Sequence, residues 1–157
     1  MLKLRKNKKG FTLVELIVVI AIMAVLAGTV AGVTVSQLNK QTDNANKTQA
    51  KKVADYIASL IIEGDIYIST TTGENNGKFV TVVTSGNATT EEKLEADDLK
   101  TEVDKEFPKV IADAAGKGNI SLSIPTEGNS IIVTYTHKQG DKTTTYTING
   151  EGIVSGN

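Results

Sequence analysis

Residues 16–39 carry no charged side chain, and no other feature of the sequence limits the fold as tightly. The run LIVVIAIMAVLAGTVAGVTV that fills most of this stretch is long enough to cross a bilayer as a helix. A segment apolar on every face is a poor core helix for the small domain that the remaining residues can form. Two other readings stand. It is a secretory signal cut after the small-residue stretch Val25-Leu26-Ala27, or it is an N-terminal anchor that the chain keeps.

Charge orients the segment. The first nine residues, MLKLRKNKK, hold Lys3, Arg5, Lys6, Lys8 and Lys9 and no acid. Taking those five from the 17 basic residues leaves 12 against 18 acidic ones, so everything after Gly10 carries a formal charge of −6. A basic head before an apolar run stays on the cytoplasmic side, and the chain beyond the run is exported. At 157 residues the chain has room for one globular domain besides this segment. The absence of cysteine rules out a disulfide framework and any Cys-based metal or redox centre. Aromatic residues make up only 4%, so a core must come mainly from Ile, Val, Leu and Ala.

Glu15 is the anomaly, a carboxylate at the mouth of the apolar run. An ordinary signal peptide has no use for it. A local explanation exists, because Thr12-Leu13-Val14-Glu15 fits the S/T-x-x-E capping box, and a negative charge suits a helix's first turn. That explanation leaves open why the cap follows a glycine and five basic residues.

The stretch KKGFTLVELIVVIAIMAVLA resembles the N-terminus of a type IV prepilin, with Gly10, Phe11 and Glu15 in the positions of that family's signature. The resemblance implies cleavage between Gly10 and Phe11 by a membrane-embedded prepilin peptidase. It also implies methylation of the new Phe11 amine and retention of the helix. Glu15 would then meet the Phe11 amine of a neighbouring subunit and set axial register during assembly. Opposite charges in an apolar setting relieve each other's desolvation penalty. Many relatives carry proline where this chain has Gly32. Here Gly28-Thr-Val-Ala-Gly32 forms a G-x-x-x-G, which serves either close helix packing or local unwinding, since each glycine weakens a helix.

Beyond the apolar run, Ala50, Val53, Ala54, Ile57, Ala58 and Ile61 recur at helical spacing as one apolar stripe. Lys40, Asp43, Lys47, Lys51, Lys52 and Asp55 are read as lying largely off it, the lysines forming a solvated face. A single helix over residues 11–62 would measure roughly 78 Å. Residues 63–118 are the variable region between helix and sheet in pilins. There residues 77–86 read as a strand, and Thr89 to Glu92 as a capping box opening a charged helix with Leu94, Leu99 and Val103 as anchors. Pro108 should interrupt that helix, and residues 110–115 read as a short helical turn. From residue 119 the alternation of Ile120, Leu122 and Ile124, then SIIVTYTH, TTTYTI and GIV, predicts an antiparallel meander. Its turns fall at Glu127-Gly128-Asn129, Gly140-Asp141 and Asn149-Gly150, the last as a hairpin signal.

The expected fold is α+β: a long N-terminal helix, hydrophobic then amphipathic, packed on a C-terminal antiparallel sheet. The expected organisation is a cleaved leader (1–10), an apolar helix (11–35) and a globular head (36–157). The head divides into helix to about 62, variable region to about 118 and sheet to about 155. Most pilins close a C-terminal loop with a disulfide. This cysteine-free head resembles Gram-positive type IV pilins instead.

Catalysis finds no constellation. His137, the only histidine, alternates with Ile131, Val133 and Tyr135 as a strand-end residue. No P-loop, G-x-S-x-G or zinc spacing occurs, residues 71–77 read as a solvated turn rather than a calcium loop, and no cofactor or metal is expected. The sequence thus reads as a non-enzymatic filament subunit. Its implied partners are copies of itself, the peptidase, the assembly machinery and the membrane, with no nucleic-acid signature. It starts in the cytoplasmic membrane and ends in a surface pilus. A pseudopilin or minor pilin of a secretion or competence system, and a non-polymerising anchored binding protein, are the alternatives.

Overall fold

The computed structural model describes residues 10–112, 115–126, 129–138 and 141–156. They fall into two compact units, with the division between Leu38 and Asn39. Helix α1 (Leu13–Glu63) contributes residues 13–38 to the first unit and 39–63 to the second. The basic head at residues 1–9 lies outside the described residues.

In the second unit the amphipathic stripe becomes the spine of the core. Ala50, Val53, Ala54 and Ile57 are fully buried, and Ala58 and Ile61 nearly so. They pack with a four-stranded antiparallel sheet in the order β4 (Ile120–Ser123), β5 (Ser130–Thr136), β6 (Thr143–Asn149), β7 (Val154–Gly156). Alternation decides which side chains face the helix: Ile131, Val133 and Tyr135 of β5 and Thr144, Tyr146 and Ile148 of β6 point inward. The register is that of a meander, with Val133 opposite Leu122 on one side and Tyr146 on the other. This is the α+β architecture expected of a pilin-like chain.

Residues 63–118 contain more sheet than the sequence indicated. A second antiparallel sheet runs β1 (Ile66–Ile68), β2 (Phe79–Ser85), β3 (Ala88–Lys93). Thr89 to Glu92, read as a capping box, instead forms the edge strand β3, with Thr90 opposite Val83 and Glu91 opposite Val82. Cross-strand pairing with β2 outweighs the local cap. Helix α2 starts later, at Ala96–Glu106, with Glu95 at its N-cap and no side-chain cap. Asp97 and Asp98 in its first turn and Lys105 in its last complement its dipole. Leu99 and Val103 anchor it in the core. It ends where Pro108 forbids helical geometry at the preceding residue, and Phe107 leaves the α region. The expected helical turn at 110–115 is also corrected, since Ile111 forms a bridge with Ile120 instead; residues 113 and 114 lie outside the described residues.

Of the expected turns, Glu127-Gly128 and Gly140 lie outside the described residues. Asn149-Gly150 does turn the chain, but not as a two-residue hairpin. Asn149 Oδ1 accepts the N–H groups of Glu151 and Ile153, and the backbone N–H of Gly152 donates to the Asn149 carbonyl. The residue with positive φ is Gly152, at 76°. A Cβ there would lie 2.8 Å from Ile62 Cγ1 and 3.0 Å from the Ala58 carbonyl oxygen, so the loop sits on the end of α1. Gly152→Ala therefore meets both left-handed backbone strain and a fixed carbonyl. It should lower head stability by about 1–3 kcal/mol in chemical denaturation, whereas Gly86→Ala, at positive φ but with open space around it, should cost less.

Candidate processing and assembly site

In the first unit Thr12 immediately precedes α1 and caps it. The Thr12 N–H donates to Glu15 Oε2 at 2.9 Å, and the Thr12 hydroxyl donates to the same oxygen at 2.7 Å. In return the Glu15 N–H donates to Thr12 Oγ1 at 3.3 Å. The capping box is thus formed in both directions, and it occupies only one carboxylate oxygen. Oε1 of Glu15 has no hydrogen-bond partner among the described residues, and a carboxylate has capacity for further donors. Capping and a contact to another molecule are therefore compatible at this one side chain.

Gly10 and Phe11 lie just ahead of the cap, both exposed, with Phe11 at 89%. Gly10 and Phe11 precede the first residue of α1, and Glu15 lies in its first turn, on the near side of the apolar segment. Along that segment Leu13, Val14, Leu16, Ile17, Val18, Val19, Ile20 and the large apolar side chains from there to Leu38 are exposed. The helix is apolar and long enough to cross a membrane, and none of that apolar window is buried within the chain.

Gly28 and Gly32 lie inside α1, which is helical through both. A Cβ built on either would meet nothing within 4 Å. Both positions thus face open space along the helix. Thr29 and Thr34 turn their hydroxyls back to the carbonyls of Leu26 and Val30, which satisfies these polar groups within an apolar setting.

The second unit holds two polar clusters that sequence reasoning missed. Asp43 is buried, accepting from the Tyr135 hydroxyl at 2.6 Å and the Lys138 N–H at 2.9 Å. It stands seven residues before Ala50, which puts it on the apolar stripe rather than off it. His137 is the strand-end residue expected: its Nε2 meets Thr144 Oγ1 at 2.9 Å, its ring lies against Tyr135, and its Nδ1 is 3.9 Å from Asp43 Oδ2. The second cluster centres on Glu91 of β3, which accepts from Tyr67, Ser69 and Thr71 and so ties the edge strand to the loop after β1. Those hydroxyls hold its carboxyl below the usual range.

Burial, and then the Asp43 carboxylate, push the Tyr135 phenol up to about 12. An unfolded tyrosine ionises near pH 10, so between about pH 10 and 12 the folded head retains a proton that the unfolded chain has lost. Stability is whole below pH 10 and falls as pH rises through 12, by about 1.4 kcal/mol per pH unit for one proton. Tyr135→Phe should flatten that alkaline limb in pH-dependent urea unfolding.

The comparisons bear on the N-terminus. Residues 5–31 match the family model described as the prokaryotic N-terminal methylation motif. No curated protein and no solved structure matches the chain. That motif implies a precursor anchored in a membrane, processing by prepilin peptidase and delivery to a membrane assembly machinery. A class III, type IV pilin-like signal thus stands at residues 5–31, with a long helix behind it and an α+β head beyond.

Proposed function

We propose that this chain is a non-catalytic structural subunit, and the major one, of a type IV pilus. The carrying observation is a capped helix that starts two residues after the Gly10–Phe11 junction and whose large apolar side chains are exposed as far as Leu38. Such a surface cannot stay in water. A bilayer covers it before assembly, and the helices of other copies cover it afterwards. The peptidase cuts after Gly10 and methylates the Phe11 amine, and the helix then enters the filament core with Gly28 and Gly32 available for close packing. Glu15, with one oxygen on its own cap and one free, meets the Phe11 amine of an adjoining copy. The sizeable head, with two sheets and its own core, favours an abundant subunit that forms the filament surface.

The test is the natural product on the cell. Filaments sheared from the producing bacterium should contain this chain as their main component, beginning at Phe11 and heavier than the unmodified mature chain by one methylene. A mature start at Gly28 would establish an ordinary secretory signal instead. Correct processing without surface filaments would identify a pseudopilin, and an uncut monomer on the surface would identify an anchored binding protein.

A further inference from the structure

The head carries an apolar cleft with an acidic rim. It encloses about 360 Å³ between the end of α1, the first sheet and α2. Leu60, Leu94 and Leu99 form its floor, and Asp65, Asp98 and Glu102 stand at its edge. Asp65 and Asp98 are exposed and have no ion-pair partner among the described residues, while Glu102 is half-buried and paired with Lys105. A greasy floor beneath carboxylates matches one kind of side chain, a methylene stem ending in a cation.

The same head presents such side chains elsewhere. Lys40 and Lys47 are exposed on α1 and unpaired among the described residues, in contrast to Lys51, which Asp55 holds at 2.8 Å. Seven residues apart, they share one face of the helix. From Lys47 to Leu60, where the cleft begins, α1 rises about 20 Å at 1.5 Å per residue. The two surfaces are therefore distinct, and a copy cannot fill its own cleft with its own Lys47.

We propose that this cleft receives Lys47 of a second copy of the chain, with Lys40 flanking it, as a head-to-head contact in the filament. The proposal rests on the pilus reading. Copies related by a screw operation meet through two different surfaces, and such a heterologous contact propagates without closing. The mature chain's charge of −6 makes heads repel one another, so a local pairing of opposite charge is what fixes how they meet.

Charge reversal in the producing cell tests this. Asp98→Lys or Lys47→Glu should each cut sheared filaments about tenfold or more at an unchanged level of mature subunit, since each sets like charges together. Asp98→Lys with Lys47→Glu should restore them. Because the chain has no cysteine, Asp98→Cys with Lys47→Cys gives a second readout: mild oxidation of filaments should produce a ladder of covalent oligomers. That ladder decides the matter if a reversal lowers subunit level. Full filament yield from both single reversals, failure of the pair to restore, or no ladder would overturn the cleft contact while leaving the pilus reading intact. A wild-type chain that forms no filaments would overturn both.

Discussion

Glu15→Gln should leave membrane insertion, cleavage after Gly10 and subunit level unchanged, yet reduce surface filaments by about tenfold or more. The glutamine amide oxygen can still accept from Thr12, so the cap at the head of α1 survives. What it lacks is the charge. Before cleavage no amine exists at Phe11, and the carboxylate serves only its own helix. On the proposed function, each cleaved copy brings a cation into an apolar core, and an uncompensated buried charge costs about 3–5 kcal/mol. Even a third of that at each contact is about tenfold in affinity, and the loss recurs at every subunit added. If Glu15 were a cap and nothing more, Glu15→Gln would assemble normally, and Glu15→Ala would cost about 1 kcal/mol of local helix stability. Filament counts by electron microscopy at matched subunit level distinguish the two, and a normal count for Glu15→Gln would leave the capping box as the whole explanation.

The readable parts of this sequence are those where one local rule acts alone. The large apolar side chains from Leu16 to Val35 are exposed, so no burial alters their pattern. The stripe from Ala50 to Ile61 and the alternation of β5 and β6 each bury one face on a single neighbour, so period alone identifies them. Where two rules compete the sequence misleads. Thr89 to Glu92 satisfies a helix-start pattern, but the β2 strand offers those residues a continuous ladder. β1 has only Ile66, Tyr67 and Ile68, too few to show a period. Asn149-Gly150 carries a hairpin signal, yet the chain places its positive φ two residues later to seat the loop against Ile62. The signature at Gly10, Phe11 and Glu15 is legible because its chemistry is local to the chain. The acidic cleft is not, since Asp65 and Asp98 are distant in sequence and only the fold brings them to one rim.

Asp43 shows how a residue that breaks the pattern becomes the one on which the head depends. An acid on the buried face of an amphipathic helix is costly unless it is fully hydrogen-bonded. Here the Tyr135 hydroxyl and the Lys138 N–H supply the donors, from the far end of β5 and the residues just after it. Asp43 thereby fastens the first turns of the head's helix to the sheet. Asp43→Ala removes the acceptor and strands a fully buried phenol together with a backbone N–H. The expected cost is about 3–5 kcal/mol, the range for removing one partner from a buried charged network. For a domain of this size that lowers the melting temperature by roughly 10–20 °C. Asp43→Asn keeps an acceptor oxygen and should lose about half as much. Tyr135→Phe in the Asp43→Ala background should cost less than it does alone, because the stranded hydroxyl is gone, with a coupling of about 1 kcal/mol or more. Thermal and urea unfolding of residues 39–157, one compact unit, would measure all four variants. An Asp43→Ala head within about 0.5 kcal/mol of the parent would mean that water satisfies Tyr135 and Lys138 as well as the carboxylate does, and that the helix is held to the sheet by its apolar stripe alone.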